Sequence, residues 1–559
     1  MAKKILIVGG VAGGASCAAR VRRQAEDAEI VLFDRGPYVS FANCGLPYYV
    51  GNVIEDEKKL LLASAELFKA RFNIEVRTEN EVTAIDREHG EIEVKRLRTG
   101  AVYREKYDAL VLSPGATPIR PHLPGIDLPG IFVLRTIPDS RQIRSWIAER
   151  KVGRAVIIGG GLVGLEMAEN LTARGISVTV VEMLDQVLPP LDPEMAEPVQ
   201  SHLARNGVSL HLSDGLEGFE QSSSGSLIVK TKSGARLSAD LVILSIGVRP
   251  EIELAKEAGL TIGERGGIRV DKQMRTSDPN IWAVGDAVET QNPVTGEWAV
   301  VPLAGPANRQ GRVAADSICG KDAAFRGVQG TAVCGLFGLT VATTGANEKT
   351  LRRLGALDYQ KIYLHPGQHV SYYPGASPIH LKLLFATEDG RILGAQAVGQ
   401  HGVEKRIDVI AMAIQNGATV FDLEEAELCY APQFGAAKDP VNMAGMIAGN
   451  VLRGDVSLAE WEALPSTQAL LVDVRQPEEF AAGHIAGAIN LPLPELRSRL
   501  NELPKDREIW LNCGVGQRSY NAARILSQHG FAVKNLSGGF ATYRHFETRL
   551  EVSLGVSSS

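Results

Sequence analysis

The sequence predicts an α/β protein, and three observations favour that class. "KILIVGG" is a short apolar run that ends in glycines, and an apparent helix and a second apolar run, "EIVLFD", follow it. The same order of strand, glycine-rich turn, helix and strand returns at "AVIIGGG" and "SVTVVE". Glycine makes up 58 of the 559 residues, above the average share of about 7%, which is typical of chains with many tight strand-to-helix turns. We therefore expect two Rossmann-like units, followed by further domains.

The length and the later patterns predict four domains. A chain of 559 residues corresponds to roughly three to five domains at about 150 residues each. "YDALVLSPGATP" and "ADLVILSIGVRP" each read as a buried strand and a turn, as expected where the chain crosses between two nucleotide domains. Beyond residue 325, alternating strands and then helices predict an α+β domain, and a compact α/β module ends the chain. The predicted ranges are 1–118 with 276–324 for the first nucleotide domain, 119–275 for the second, 325–448 for the α+β domain, 449–459 for a linker and 460–556 for the last module.

The composition favours a soluble globular protein over several other classes. The formal charge of −6 gives no electrostatic reason to expect a nucleic-acid partner. No apolar run approaches about 18 residues, so we expect no membrane span, and "MAKKILIVGG" is interpreted as a first strand and not as a signal peptide. Six cysteines without a C-x-x-C pair argue against a disulfide framework and against a zinc site. We predict a cytoplasmic protein without a bound metal.

The second unit carries a complete dinucleotide-binding motif. Gly159, Gly161 and Gly164 form G-x-G-x-x-G between a strand and a helix. These glycines allow a tight turn, close approach of a pyrophosphate and close packing of helix on strand. Glu182 ends the next strand, where an acid accepts a hydrogen bond from a ribose 2′-hydroxyl and repels a 2′-phosphate. The motif therefore predicts a site that prefers NADH to NADPH.

The first unit carries a less regular version of the motif. Gly9 and Gly14 occupy the outer glycine positions, Val11 replaces the middle glycine, and Asp34 ends the next strand. "TSDPNIWAVGDAVE" places Asp286 after another buried strand. This segment resembles the second flavin motif of flavoproteins with two dinucleotide folds, in which the aspartate bonds the ribityl chain of FAD. The first unit is therefore predicted to bind FAD.

These motifs make residues 1 to about 450 similar to the pyridine nucleotide–disulfide oxidoreductase family. The resemblance implies an FAD domain, an NAD domain and a C-terminal dimerisation domain, and therefore a homodimer. It also implies that a hydride passes from NAD(P)H to FAD and that the electrons go on to sulfur. In such enzymes the cofactor supplies the chemistry and the protein supplies placement.

"SFANCGLPYYVG", residues 40–51, contains a single cysteine, Cys44. The family usually has a C-x-x-x-x-C pair here, but the second position is Tyr49. Members that reduce peroxide or oxygen have a histidine in the first glycine-rich loop, where this sequence has Ala12. The segment instead resembles the coenzyme A-disulfide reductases. We expect Cys44 to begin a helix, a position that lowers the pKa of a thiol.

The resemblance to coenzyme A-disulfide reductases implies further site residues. The predicted coenzyme A contacts are Ser16, Arg20, Arg23, Ser40, Asn43 and Lys438. Segment 421–450 contains no histidine, so tyrosine hydroxyls are the candidates to assist the leaving thiolate. The resemblance implies Tyr430, and Tyr373 or its neighbour Tyr372, reaching the active site of the other subunit. The remaining cysteines of this part, expected to serve packing, are Cys17, Cys319, Cys334 and Cys429.

The C-terminal module resembles a rhodanese domain. "LLVDVRQPEEFAAGHIAGAINLP" places Asp473 and Arg475 after a strand, and "LNCGVGQRSYNAARILSQHGF" contains a six-residue loop from Cys513 to Arg518. Six residues are the sulfurtransferase length, whereas the related arsenate and phosphate hydrolases use seven. Such a loop wraps backbone N–H groups around the cysteine sulfur, and Arg518 adds positive charge.

The motifs together predict a flavoprotein that reduces coenzyme A persulfide or polysulfide with NADH. In this hypothesis Cys513 takes sulfane sulfur from a donor and passes it to coenzyme A, and Cys44 then reduces the resulting persulfide. Three alternatives stay open: a coenzyme A-disulfide reductase, an NADH oxidase or peroxidase, which Ala12 disfavours, and a sulfur-trafficking protein. The expected partners are small-molecule thiols and persulfides and a second copy of the chain.

Overall fold

The computed structural model describes residues 3–223, 225–355 and 358–553, which form two compact units. The first unit comprises the chain up to Asp185 together with Gly207–Gln329, and the second comprises Gln186–Asn206 together with the chain from Gly330 onward. Among the described residues, no helix is both long enough and apolar enough to cross a membrane. Residues 1 and 556, the predicted outer limits of the first and last domains, lie outside the described residues.

The elements of the first half of the chain follow the predicted alternation of strands and helices. Up to residue 118 they are β1 (Lys4–Val8), α1 (Ala12–Arg22), β2 (Glu29–Asp34), α2 (Leu46–Val50), α3 (Ala65–Phe72), β3 (Glu75–Thr78), β4 (Asn80–Asp86), β5 (Glu91–Arg96), β6 (Val102–Lys106), β7 (Ala109–Leu112) and β8 (Ala116–Pro118). Up to residue 250 they are β9 (Ile131–Phe132), α4 (Ile137–Arg150), β10 (Arg154–Ile158), α5 (Leu162–Thr172), β11 (Ser177–Val181), α6 (Pro193–Arg205), β12 (Ser209–His211), β13 (Leu216–Gln221), β14 (Leu227–Thr231), β15 (Arg236–Ala239), β16 (Leu241–Leu244) and β17 (Val248–Pro250). Up to residue 318 they are α7 (Glu253–Glu257), β18 (Ile268–Arg269), β19 (Ile281–Ala283), β20 (Val288–Gln291), β21 (Trp298–Ala299) and α8 (Ala304–Ile318).

Two parallel five-stranded sheets organise the first unit. Their strand orders are β19-β7-β1-β2-β3 and β12-β11-β10-β16-β9. The central strands are buried along most of their length, which explains why their sequences read as continuous apolar runs. The smaller sheets of this unit are β4-β5-β6, β13-β14-β15, β18-β20-β21 and β17-β8. In each parallel sheet the glycine-rich turn follows the central strand, at the carboxyl edge where nucleotides bind.

The second unit contains one antiparallel and one parallel five-stranded sheet, of strand orders β22-β23-β26-β25-β24 and β27-β31-β30-β28-β29. Its further elements begin with β22 (Ala332–Leu336), β23 (Leu339–Gly345), α9 (Glu348–Leu354), β24 (Tyr359–Leu364), β25 (Ile379–Ala386), β26 (Ile392–Gly399), α10 (Val403–Gln415), α11 (Val420–Glu424) and α12 (Pro440–Leu452). They end with β27 (Leu458–Ala459), β28 (Leu470–Asp473), α13 (Pro477–Ala481), β29 (Ile489–Asn490), β30 (Ile509–Asn512), α14 (Gln517–Gln528), β31 (Val533–Leu536) and α15 (Gly539–Ser553). The predicted fold class, α/β with an α+β domain and a C-terminal α/β module, is confirmed.

Two predicted boundaries differ from the structure. The range 119–275 was expected to be one nucleotide domain, but α6 belongs to the second unit. The physical reason is a buried ion cluster, in which Lys382 Nζ lies 2.8 Å from Asp192 Oδ2 and 2.5 Å from Glu194 Oε1. The predicted linker 449–459 is mostly regular structure, because α12 continues to Leu452 and β27 pairs with β31.

Candidate functional site

Cys44 lies in a single 3₁₀ turn, Asn43–Gly45, which leads directly into the five-residue helix α2. The residue is exposed to solvent. The side-chain amide of Asn43 donates a hydrogen bond to the carbonyl oxygen of Arg135 at 3.3 Å, which ties the turn to the segment before α4. The thiol is therefore presented on a turn that tertiary contacts hold in place.

The pKa of Cys44 is raised, which corrects the expectation of a lowered value. Although the residue reaches solvent, protein on one side removes part of the hydration of a thiolate, and the carboxylates of Glu166 and Asp286 add repulsion. A backbone N–H and the guanidinium of Arg135 act in the opposite direction. A 3₁₀ turn and a helix of five residues supply too little aligned dipole to outweigh the lost hydration and the two acids.

Sequence reasoning missed Arg135 and Glu166, two charged residues near the thiol. Arg135 Nη2 lies 3.0 Å from Asp286 Oδ2, so the predicted ribityl-binding acid already has a cationic partner. Tyr48 donates a hydrogen bond from its hydroxyl to Glu166 Oε1 at 3.4 Å. Two sequence signals could have identified these residues. Glu166 lies two positions after Gly164 of the second glycine motif, and Arg135 directly precedes the capping box at the start of α4.

The first glycine-rich turn brings Gly9, Gly14 and Asp34 together. A Cβ atom at Gly14 would lie 1.9 Å from the carbonyl oxygen of Gly9, so only glycine allows this approach of helix to turn. Asp34 accepts hydrogen bonds from the N–H groups of Gly10 at 2.9 Å and Gly36 at 2.8 Å. Burial raises its pKa, which those two bonds oppose. A cavity of about 460 Å³, lined by Gly9 and Asp34 among others, opens here.

The second glycine-rich turn repeats this construction. A Cβ atom at Gly164 would lie 2.1 Å from the carbonyl oxygen of Gly159. A Cβ atom at Gly161 would have no atom of the described residues within 4 Å, so space is open beside the turn. Glu182 is buried and accepts hydrogen bonds from the N–H groups of Gly160 at 2.7 Å and Leu184 at 2.9 Å.

The predicted coenzyme A residues of the first unit do not all face one open surface. On α1, Ser16 hydrogen-bonds the side chain of Asn308 on α8, a residue that sequence reasoning missed. Arg20 Nε lies 2.8 Å from Asp316 Oδ1, so its charge is already paired, whereas Arg23 is exposed at the end of α1. The N–H group of Ser40 donates to the carbonyl oxygen of Gly10 at 2.7 Å, next to the first turn.

In the second unit the structure pairs Tyr430 with Tyr372. Their hydroxyl oxygens lie 2.9 Å apart and both residues are exposed, and this hydrogen bond raises the pKa of Tyr430. Tyr373 instead packs edge-on against the ring of His369, with centroids 5.5 Å apart. Lys438 is exposed directly before the first turn of α12. Of the two neighbouring tyrosines, Tyr372 is therefore the one that contacts Tyr430.

The other cysteines of this part differ in exposure. Cys17 and Cys334 are buried, as expected of packing residues, and burial raises the pKa of the Cys17 thiol strongly. Cys319 is half-buried, and Cys429 is exposed, so the packing interpretation is wrong for Cys429.

Cys513 follows β30 and is buried in the loop that leads into α14. Its sulfur accepts hydrogen bonds from the N–H group of Gly516 at 3.1 Å and from the hydroxyl of Ser519 at 3.3 Å. These donors stabilise negative charge on sulfur, as a thiolate or as a persulfide. Asp473 and Arg475 form a buried ion pair at 2.7 Å beneath this region.

Three family models match successive parts of the chain. Residues 3–311 match the model of the pyridine nucleotide-disulphide oxidoreductases, residues 331–439 match the dimerisation domain of the same group, and residues 457–545 match the rhodanese-like domain. A coenzyme A disulfide reductase of Staphylococcus haemolyticus is 35% identical over 444 residues, which are 79% of this chain and 98% of the relative.

Two solved structures cover almost the whole chain. The reduced CoADR-RHD of Bacillus anthracis is 48% identical, with a TM-score of 0.96 over 98% of this chain and 99% of the other. An NAD-dependent persulfide reductase from A. fulgidus is 39% identical, with a TM-score of 0.90 over 97% of this chain and 100% of the other.

Proposed function

We propose that this chain, which belongs to the pyridine nucleotide-disulphide oxidoreductase family, reduces coenzyme A persulfide or polysulfide with NADH. The observation that carries the proposal is the combination of one exposed thiol, Cys44, with a second, hydrogen-bonded sulfur at Cys513. A simple disulfide reductase has no need of a persulfide carrier. The fused rhodanese-like domain therefore favours a persulfide substrate.

The two glycine-rich turns fit two dinucleotides. The open space at Gly161 and the cavity beside Asp34 provide room, and an acid stands at each site to accept from a ribose hydroxyl. The residues proposed to hold FAD are Gly9, Gly14, Asp34 and Asp286, and those proposed to hold NADH are Gly159, Gly161, Gly164 and Glu182. When bound, these cofactors supply a pair of electrons as hydride equivalents.

Cys44 is the proposed nucleophile toward the persulfide. Attack of its thiolate on the outer sulfur of R–S–SH forms a Cys44 persulfide and releases the thiol. Attack on the inner sulfur forms a mixed disulfide and releases hydrosulfide. Two electrons and two protons then cleave the new S–S bond, so that each cycle yields one thiol and one hydrogen sulfide and returns the Cys44 thiolate.

Coenzyme A supplies the second sulfur that the missing cysteine would otherwise provide. Its proposed contacts are Ser16, Arg20, Arg23, Ser40, Asn43 and Lys438, and for Arg20 this requires sharing the guanidinium with Asp316. Tyr430, paired with Tyr372, holds the proton for the departing thiolate. The family resemblance implies that these tyrosines act in the active site of the other subunit of a homodimer.

Cys513 is the proposed entry point for sulfane sulfur. Its thiolate attacks the sulfane sulfur of a donor, forms Cys513–S–S⁻ and releases the rest of the donor. Gly516 and Ser519 stabilise the charge of both forms through the hydrogen bonds already described. The persulfide then passes its outer sulfur to the thiol of coenzyme A.

Anaerobic NADH oxidation tests the proposal with four oxidants: coenzyme A persulfide, polysulfide, coenzyme A disulfide and peroxide. We expect turnover with coenzyme A persulfide and polysulfide, loss of both in Cys44→Ser, and loss of polysulfide turnover alone in Cys513→Ser. Cys429→Ser is the matched control, because Cys429 is also exposed. Persulfide turnover that survives Cys44→Ser contradicts the role of Cys44. Unchanged polysulfide turnover in Cys513→Ser contradicts the relay.

Coenzyme A disulfide reduction is the second candidate, and the Staphylococcus relative favours it. The same comparison separates the two candidates. A kcat/KM for coenzyme A disulfide well above that for the persulfide, and indifferent to Cys513→Ser, would assign the simpler activity.

A further inference from the structure

The cation of the Cys513 loop is neutralised by an acid from outside the loop. Arg518 Nη1 donates to Glu479 Oε2 at 2.6 Å, and Arg518 Nη2 donates to Glu479 Oε1 at 2.7 Å. This is a bidentate pair between a guanidinium and a carboxylate, the strongest geometry such a pair adopts. The pair holds the pKa of Glu479 at about 2, so the carboxylate is charged throughout the working pH range.

The ion pair lies directly over the residue that follows the nucleophile. A Cβ atom at Gly514 would lie 3.2 Å from Arg518 Nη2 and 4.0 Å from Glu479 Oε1. Both members of the pair are about one third exposed, at 36% and 39% of their side chains. The carboxylate therefore lies on the solvent-exposed side of the loop, where its charge acts on a donor that approaches from solvent.

Other cations do not replace Arg518 on this side of the loop. Residues 514–517 of the loop, "GVGQ", carry no charge. Arg475 is buried, and its guanidinium is used by Asp473 at 2.7 Å and by the carbonyl oxygen of Gly483 at 2.6 Å. The guanidinium of Arg544 lies over the ring of Phe540, 5.7 Å from its centroid.

We propose that Glu479 determines the donor class of Cys513, favouring organic persulfides over dianionic donors such as thiosulfate. With thiosulfate, the Cys513 thiolate forms a bond to the sulfane sulfur while the S–S bond breaks and sulfite leaves with two negative charges. With an organic persulfide, the same attack breaks the S–S bond and a thiolate leaves with one. The carboxylate of Glu479, which is paired with Arg518, repels a departing sulfite with two negative charges more strongly than a departing thiolate with one.

This inference rests on the proposed role of Cys513 as acceptor of sulfane sulfur and names its substrate class. The test uses the full-length protein without NADH, so that only sulfur transfer is measured. Thiocyanate formation from cyanide is followed with thiosulfate and, separately, with glutathione persulfide as donor. The variant is Glu479→Gln, which removes the charge but keeps an oxygen for the N–H group of Gln476. Glu478→Gln is the matched control, an exposed acid one position away.

In Glu479→Gln we expect kcat/KM for thiosulfate to rise about tenfold, the order expected of one partly screened charge at this range. The value for glutathione persulfide should change less than about threefold, and Glu478→Gln should change neither by more than about twofold. An unchanged ratio of the two donors in Glu479→Gln overturns the inference.

Glu479→Asp keeps the charge on a shorter side chain and should retain the wild-type preference for the persulfide. A thiosulfate preference in both Glu479→Gln and Glu479→Asp would mean that the loop depends on the geometry of Glu479 and not on its charge, which also overturns the inference. Failure of the proposed relay would give a different result. NADH-dependent polysulfide turnover would then persist in Cys513→Ser, whatever the ratio of the two donors in the Glu479 variants.

Discussion

Lowering the pH from about 7.5 to about 5 should weaken the packing of α15 on strands β24 and β25, because histidines are enclosed there. His365 Nδ1 lies 2.7 Å from His380 Nδ1, and its Nε2 lies 2.7 Å from the hydroxyl oxygen of Thr542 on α15. The ring of His545, also on α15, lies 4.9 Å from that of His380. The contact is therefore made by neutral imidazoles.

Burial lowers the pKa of all three histidines, and for His545 the value is about 3. The groups that face His545 and oppose its protonation further are His380 and Arg544. In an unfolded segment the pKa of histidine is about 6.5. Below about pH 6.5, histidine is protonated in the unfolded segment but stays neutral in the folded one. The free energy of unfolding therefore falls as the pH falls, until the pH reaches the folded pKa.

The loss can be estimated for His545 alone. Moving 1.5 pH units below an unfolded pKa of about 6.5, with the folded pKa still lower, costs about 2 kcal/mol. The lowered pKa values of His365 and His380 have the same sign and add to this. A cost of about 2 kcal/mol corresponds to roughly a 30-fold change in the opening equilibrium of α15.

Hydrogen exchange with mass spectrometry measures that equilibrium directly. Protection of peptides from segment 539–553, corrected for the intrinsic pH dependence of exchange, should fall by at least about 30-fold between about pH 7.5 and about pH 5. In His545→Gln this fall should be smaller by roughly 30-fold, which leaves the part that His365 and His380 contribute. His529→Gln is the control, since His529 is exposed at the end of α14. Equal pH dependence in the wild type and His545→Gln would refute the reasoning.

Three further changes have defined outcomes. Lys382→Met removes the buried cation that pairs with Asp192 and Glu194, so it should lower the free energy of unfolding by about 3–5 kcal/mol in a denaturant titration. Lys256→Met, at an exposed position, should cost less than about 0.5 kcal/mol. Glu182→Ser removes the carboxylate that repels a 2′-phosphate, so the kcat/KM ratio of NADH to NADPH should fall at least about tenfold, and a constant ratio would contradict the cofactor assignment. Ser519→Ala removes the hydrogen bond from the Ser519 hydroxyl to Cys513 Sγ and should slow sulfur transfer about tenfold, while coenzyme A disulfide reduction stays at the wild-type rate. Equal loss of both activities would show a global defect.

Sequence reasoning predicted the features that depend on neighbouring residues. The turn at Gly159, Gly161 and Gly164 and the loop from Cys513 to Arg518 each lie within six consecutive positions. Their backbone conformations are set by local residue types, so a pattern of residues identifies them. The alternation of apolar strands and helices likewise predicts the α/β class.

The sequence by itself therefore determined the fold class and located the two glycine-rich turns and the loops that carry Cys44 and Cys513. Only the tertiary structure decided what surrounds each centre. Arg135 meets Asp286 across 151 positions, and Glu479 meets Arg518 across 39. The same holds for α6, which joins the second unit through Lys382 although it lies within a nucleotide-domain sequence. Electrostatic partners are set by which elements the topology brings together, and a carboxylate acts on whatever charge lies within a few ångströms, however distant along the chain.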